Sequence, residues 1–267
     1  MLSGGGWSLA LFYVLVLFVL LAFLQELFHR YAKFALVLFS IASIIFFPCW
    51  VLLIGVEDWF LYVKSLSIMA GIILLTLFRV TNWKIQKLVP WFVYIFLVVN
   101  ILEAVVKDAG TGHIPNVLNA IAGLLLIATL NGIDTIRIKT EEKYKDLVWG
   151  SMTAAWIIGY TLWNWVFVYL NFVQGSANHL AVLASALIII FVSKERWLQA
   201  RVVTLGTYFL AIHLLPRLNA NPLISVYDEQ FGFIVALIAF GFMLAYTMFY
   251  VRNTLLERKE KGVSFWK

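Results

Sequence analysis

The stretch WSLALFYVLVLFVLLAFLQELF, residues 7–28, is apolar at almost every position and closes on Glu26, with His29 and Arg30 just beyond it. A helix of about 20 apolar residues matches a bilayer hydrocarbon core of roughly 30 Å, and a helix that is apolar all round has no face to offer water. Eight further stretches read the same way: 34–55, 59–78, 88–106, 115–134, 148–170, 179–193, 198–215 and 232–251. Lipid supplies no partner for unpaired backbone groups, so segments this apolar are expected to be helices. The expected fold is therefore all-α: a polytopic integral membrane bundle of about nine transmembrane helices in one domain, residues 1–267.

Composition points the same way. Hydrophobic residues make up 63% of the chain and charged residues 13%, and the mean hydropathy is +0.93; a soluble domain is about half apolar and a quarter charged. The two weakest spans are the seventh, which is short, and the eighth, which opens on Gln199 and Arg201. One long kinked helix is the alternative there, with Lys194-Glu195-Arg196 as the break between them.

Lys and Arg resist translocation and collect in cytoplasmic loops. Sixteen of the 20 fall on one side: Arg30 and Lys33; Arg79, Lys84 and Lys87; Arg137, Lys139, Lys143 and Lys145; Lys194 and Arg196; then Arg252, Arg258, Lys259, Lys261 and Lys267. Opposite loops carry Lys107 and Arg217 with Glu57, Asp58, Asp108, Asp228 and Glu229. That alternation places the N-terminus outside and the C-terminus in the cytoplasm. It also accounts for the net charge of +6, because a basic cytoplasmic face meets anionic headgroups; nucleic acid is not needed as a partner. The first span has no basic segment before it and exceeds a 7 to 15 residue signal core, so it is expected to stay as a membrane helix. The single cysteine, Cys49, allows no internal disulfide and is expected to be a small buried side chain.

Function is sought in polar residues inside the spans, since a charge at the bilayer centre costs about 2.5 to 3.5 kcal/mol on insertion scales and so faces the protein interior. Asn100, Glu103 and Lys107 recur along one face of span four; Asn116 and Asn119 open span five; Lys64 lies on span three; Tyr160, Trp163 and Asn164 lie on span six; His213 lies near the end of span eight. Depth puts Lys64, Asn100, Glu103, Asn116, Asn119, Tyr160, Trp163, Asn164 and His213 in the outer half, as a candidate outward-opening, aromatic and amide-lined cavity for a small polar or cationic solute. The same residues also suit helix bridging, an interfacial aromatic belt and a Lys64–Glu103 neutralising pair. A second polar group, Glu26, Arg30, Asp134 and Arg201, lies near the cytoplasmic side. It reads either as an ordinary i, i+4 pair between Glu26 and Arg30 or as a gate in which Arg201 meets Glu26 or Asp134.

The four histidines form no i, i+4 pair and have no cysteine partner, and there is no glycine-rich phosphate loop. No metal and no cofactor is therefore expected. A retinal-type receptor is disfavoured because the last span has no lysine.

The segments Asn100-Ile-Leu-Glu103-Ala, Asn116-Val-Leu-Asn119-Ala-Ile-Ala-Gly123, Tyr160-Thr-Leu-Trp163-Asn164-Trp-Val-Phe-Val-Tyr169 and Trp197-Leu-Gln-Ala-Arg201 together resemble a bacterial family of multi-pass membrane proteins, domain of unknown function 5692. The resemblance covers most of the chain and implies a bacterial inner (plasma) membrane protein without naming its chemistry. The Trp163-Asn164-Trp165 run is also loosely similar to residues of transporters for nicotinamide riboside. Three function classes remain, ranked in this order: a secondary transporter or channel with the lipid bilayer and a small polar solute as partners; an intramembrane enzyme on lipid with Glu103 as base near His213; and an accessory or signalling protein without a cavity.

Overall fold

The structure, a computed structural model, describes residues 4–53, 59–81, 87–215, 221, 223, 224 and 226–260. Glu57, Asp58, Lys84, Arg217, Lys261 and Lys267, and the last two residues of the expected second span, lie outside the described residues. The described residues of the chain are all-α apart from one short hairpin. Its helices are α1 Gly4–Arg30, α2 Ala32–Leu53, α3 Trp59–Val80, α4 Val89–Thr111, α5 Ile114–Ala128, α6 Ala154–Asn171, α7 Ser176–Leu187, the single turn α8 Ile190–Ser193, α9 Trp197–Leu214 and α10 Glu229–Glu260; strands β1 Ile136–Ile138 and β2 Leu147–Trp149 lie between α5 and α6.

Five stretches of the described residues are long and apolar enough to cross a membrane: Trp7–Arg30, Tyr62–Val80, Val89–Ala109, Val173–His213 and Glu229–Leu256. Ala32–Ile45 and Ile114–Ala128 are apolar but shorter. Val173–His213 is not one helix. Ser193 leaves helical geometry at φ −159, ψ 91, and the chain folds back so that α9 packs against α7. The outward faces of α1, α2 and α10 carry exposed Phe12, Val19, Phe23, Val37, Ile41, Leu237, Ile238 and Met248, the surface a lipid solvent would favour. Cys49, expected to be buried, is exposed on α2.

Two expected spans are shorter than the hydropathy suggests. The fifth, 115–134, stops as a helix at Ala128, and the sixth, 148–170, begins as a helix only at Ala154. Between them β1 and β2 pair antiparallel with Arg137 opposite Val148, and Ile136, Leu147 and Trp149 enter the core. The apolar run at Leu147-Val148-Trp149 extends the hydropathy signal of span six, but a buried strand and a buried helix end look alike in so short a run. Span four errs in the other direction. Its helix continues to Thr111, where Gly112 at φ 71 supplies the left-handed cap that most L residues avoid.

The helices form two groups. α1, α2, α3, α7 and α9 pack together, as do α4, α5, α6 and α10, and α6 against α7 joins the groups while α3 meets α4 only sparsely. An aromatic cluster on α6 reaches across to α9: the Trp156 and Tyr160 rings are stacked at 5.7 Å, and the Tyr160 and Trp197 rings lie 5.0 Å apart. α4, α5 and α6 approach closely at Gly123, where an added Cβ would stand 2.5 Å from Val105 and 2.9 Å from the Trp163 Nε1. That indole N–H donates to the Asn119 carbonyl at 3.0 Å. Gly123→Ala should therefore destabilise the bundle by about 1–3 kcal/mol through overpacking, whereas Gly241→Ala, which meets nothing within 4 Å, should not. Thermal unfolding in detergent checks the pair, and equal melting temperatures would contradict the close approach at α5.

Candidate functional site

Between the two helix groups lies a cavity of about 150 Å³ with contributions from α3, α4, α6, α7 and α9. Its polar wall is Lys64, Asn100, Tyr160, Asn164, His179, Arg201 and Tyr208; Phe167, Phe172, Leu205, Phe209 and Ile212 belong to its apolar wall. Among the described residues no Asp or Glu lines it.

Register explains how residues distant in depth share one space. Ser65 Oγ meets His213 Nε2 at 3.0 Å, and a Cβ on Gly206 would touch Ile72, so α3 and α9 run antiparallel and Arg201 stands opposite Leu77. At 1.5 Å per residue the backbones of Lys64 and Arg201 are roughly 20 Å apart along the bundle. Their long side chains converge from its two ends. Lys64 Nζ donates to Asn100 Oδ1 at 3.0 Å and to Glu103 Oε2 at 3.0 Å. Arg201 Nη2 donates to Asn164 Oδ1 at 3.0 Å, and His179 Nε2 meets the same oxygen at 2.7 Å. A guanidinium only donates, so the Asn164 atom facing it must be the carbonyl oxygen, and His179 must then carry its proton on Nε2. The Tyr160 phenol lies beside the same guanidinium.

Of the nine residues expected to bind solute, Lys64, Asn100, Tyr160 and Asn164 line this cavity. Glu103 stands behind it on Lys64. Trp163 and His213 are used in the packing contacts given above. Asn116 and Asn119 belong elsewhere: their Nδ2 atoms donate to Asp108 at 2.8 Å each, and Asn171 Nδ2 adds a third bond at 2.7 Å. Asp108, fully buried, thus ties α4 to α5 and α6. A carboxylate accepting three amide N–H groups is helix glue of the kind membrane bundles use.

The second polar group is also rearranged. Glu26 and Arg30 form the local pair at 2.8 Å, and Asp134 is exposed on a turn at 133–135. Arg201 pairs with neither Glu26 nor Asp134; Arg196 takes that place, 3.8 Å from Glu26. The centre of this cluster is Asp146, buried beside β2 and contacted by His29 at 2.9 Å, Arg196 at 3.3 Å, Arg79 at 3.4 Å and Gln199 at 3.0 Å. Arg79 also donates to the carbonyls of His29, Tyr144 and Lys145. One carboxylate therefore binds the ends of α1, α3 and α9 to the hairpin. Burial alone would raise the Asp146 pKa, but hydrogen bonds from His29 and Gln199, with the charges of His29 and Arg196, hold it down at about 2.

Sequence reasoning missed Asp108, Asp146, His179, Arg196 and Tyr208. A glycine just past the end of a periodic run marks a helix C-terminus, so Gly112 could have carried span four past Asp108. Asp146 gave no such signal among the charges of its loop.

The model of a family of unknown function (DUF5692) matches residues 5–263. The chain belongs to that family. Neither the curated proteins nor the solved structures contain a match. The roles of the residues in this DUF5692 chain therefore rest on its own geometry.

Asp108→Ala leaves the buried Asn116 and Asn119 amides without this acceptor and removes one bond from the half-buried Asn171, which keeps the Phe167 carbonyl, and should cost about 3 kcal/mol; a melting temperature equal to wild type would release Asp108 from a structural role. Asp146 has a depressed folded-state pKa, so its stabilising contribution is complete above the unfolded value near 4 and is lost as pH falls toward 2. Unfolding midpoints across that window should fall for wild type and change less for Asp146→Asn, and parallel profiles would refute the assignment.

Proposed function

We propose that this chain is a nine-span protein of the bacterial inner membrane, N-terminus outside and C-terminus cytoplasmic, that moves a small polar solute through the cavity between α3, α4, α6, α7 and α9. The observation that carries this reading is the cavity itself. A water-sized space needs only about 10–15 Å³, and this one is some ten times larger, lies inside an apolar bundle and collects seven polar side chains from five helices. A purely structural core would fill such a space, as interiors are close-packed.

This reading is supported by the five stretches long and apolar enough to cross a membrane, with the shorter apolar helices Ala32–Ile45 and Ile114–Ala128, and by basic residues gathered at the end of the bundle that carries the hairpin: Arg137, Lys139, Lys143 and Lys145 in it, Arg79 on the Lys145 carbonyl and Arg196 on Asp146. On the positive-inside rule that end is cytoplasmic. The Asp146 cluster then closes the cytoplasmic side, as alternating access requires a seal behind a bound solute. It joins elements from both sides of the cavity, so releasing it would free α3 and α9 to move relative to the hairpin. The lipid-enzyme reading gains no support from the geometry: Glu103 is engaged by Lys64, His213 by Ser65, and the two do not form an acid–base pair.

Purified protein in liposomes, incubated with a mixed extract of small metabolites and washed, should retain at least one solute that empty liposomes do not, read by mass spectrometry. Asn164→Ala removes the acceptor that fixes both Arg201 and His179 and should lower that retention about tenfold or more. Identical contents in protein-bearing and empty liposomes would rule out transport.

A further inference from the structure

Arg201 is 3% exposed, and its Nε and Nη1 have no hydrogen-bond partner in the protein. Those two atoms carry three of the five guanidinium N–H donors. An arginine is always charged and its pKa exceeds about 12 in water, so it does not escape burial by shedding a proton as a lysine can. Buried charges are normally paired with an opposite charge. Lys64 has Glu103, but among the described residues no carboxylate meets Arg201 and no acidic residue lines the cavity. His179, which shares Asn164 Oδ1 with Arg201, cannot supply a negative charge. The cavity is thus one anion short.

We infer that the solute is a small organic anion whose carboxylate is held by the Arg201 guanidinium, with its apolar body against the Phe167, Phe172 and Phe209 side of the wall. This rests on the cavity being a solute site. The orphaned donors select an acceptor, and the fixed charge selects an ionised one, because a charge-assisted hydrogen bond is about twice as strong as a neutral one. A cation, which the aromatic and amide composition alone would have admitted, meets an unpaired guanidinium here and is repelled. The apolar remainder of the wall separates an organic acid from inorganic phosphate, which would leave most of its oxygens facing phenyl and alkyl groups at a cost. Asn164 and Tyr160 hold the guanidinium so that its free edge stays turned away from them, a pre-organised anion hole rather than a mobile side chain.

Four probes of similar or smaller size test this on the full-length purified protein in detergent: benzoate, benzamide, benzylammonium and inorganic phosphate, each in millimolar excess, with thermal stability and tryptophan fluorescence as readouts. Benzoate should raise the melting temperature and change the emission, since Trp156, Trp163 and Trp197 pack around Tyr160; benzamide and benzylammonium should do neither. Arg201→Lys keeps the positive charge but loses the planar donor set and should weaken benzoate about tenfold or more, and Arg201→Gln should abolish the effect. If Arg201→Gln does not fold, the lysine variant alone decides. Stabilisation by benzamide or benzylammonium equal to that by benzoate overturns the anion while the solute site stands. A response to phosphate alone overturns the organic body. A response to none of the four overturns the anion and the solute site together.

Discussion

A polar group carried into an apolar bundle has no water to return to, and the buried carboxylates Asp108 and Asp146 find their partners on other elements of the fold. This constraint organises the molecule. Asp108 finds three amides and thereby fixes α4 against α5 and α6. Asp146 finds a histidine, two arginines and a glutamine and fixes the ends of α1, α3 and α9 against the hairpin. Each carboxylate brings together helices that apolar packing alone would leave free to slide, because dispersion contacts between helices are non-directional while hydrogen bonds to one atom are not. The polar network and the aromatic core are therefore complementary: one sets register, the other supplies the buried area.

The constraint is incomplete at Arg201, whose Nε and Nη1 are among the buried polar atoms without a partner in the protein. Around the central cavity Lys64 is satisfied by Glu103 and Asn100, whereas Arg201 has only Asn164 and the neighbouring phenol of Tyr160. Asp108 and Asp146 are surrounded by donors, whereas this buried cation, on a cavity wall shared by five helices, meets no carboxylate among the described residues. The cavity sits between two helix groups that are joined mainly through α6 and α7, with little contact between α3 and α4. Trp197 of α9 also crosses this boundary to Trp156 and Tyr160 of α6, and the Arg201 guanidinium lies on the same boundary, one turn along α9.

Much of the fold was legible because its signals are additive over many residues. Twenty apolar residues in a row, repeated, leave little choice of secondary structure, and the positions of α1, α2, α3, α9 and α10 follow from them to within a few residues, apart from the length of α10. The errors arose where a few residues outweigh a sum. Val148 extends an apolar run yet pairs with Arg137 as a strand, and Gly112 carries α4 past the point where its hydropathy ends. In the site, Lys64, Asn100, Tyr160 and Asn164 could be found because polar residues deep in apolar spans stand out. Asp146 could not, since one acid among the Glu141, Glu142, Lys143 and Lys145 of its loop looks solvated until a tertiary contact buries it.

The sequence by itself determined the class of fold, the family and the sorting of basic residues to one end, all of which depend on local composition and on the solvent the chain must meet. Only the tertiary structure decided which polar residues are mutual partners. It moved Asn116 and Asn119 from the cavity to Asp108, put Arg196 rather than Arg201 beside Glu26, and brought Arg201 from the far end of an antiparallel helix into the same space as Lys64. Pairing depends on register and side-chain reach across helices far apart in the chain, and a linear pattern holds no record of either. The charge the cavity lacks emerges only from that pairing.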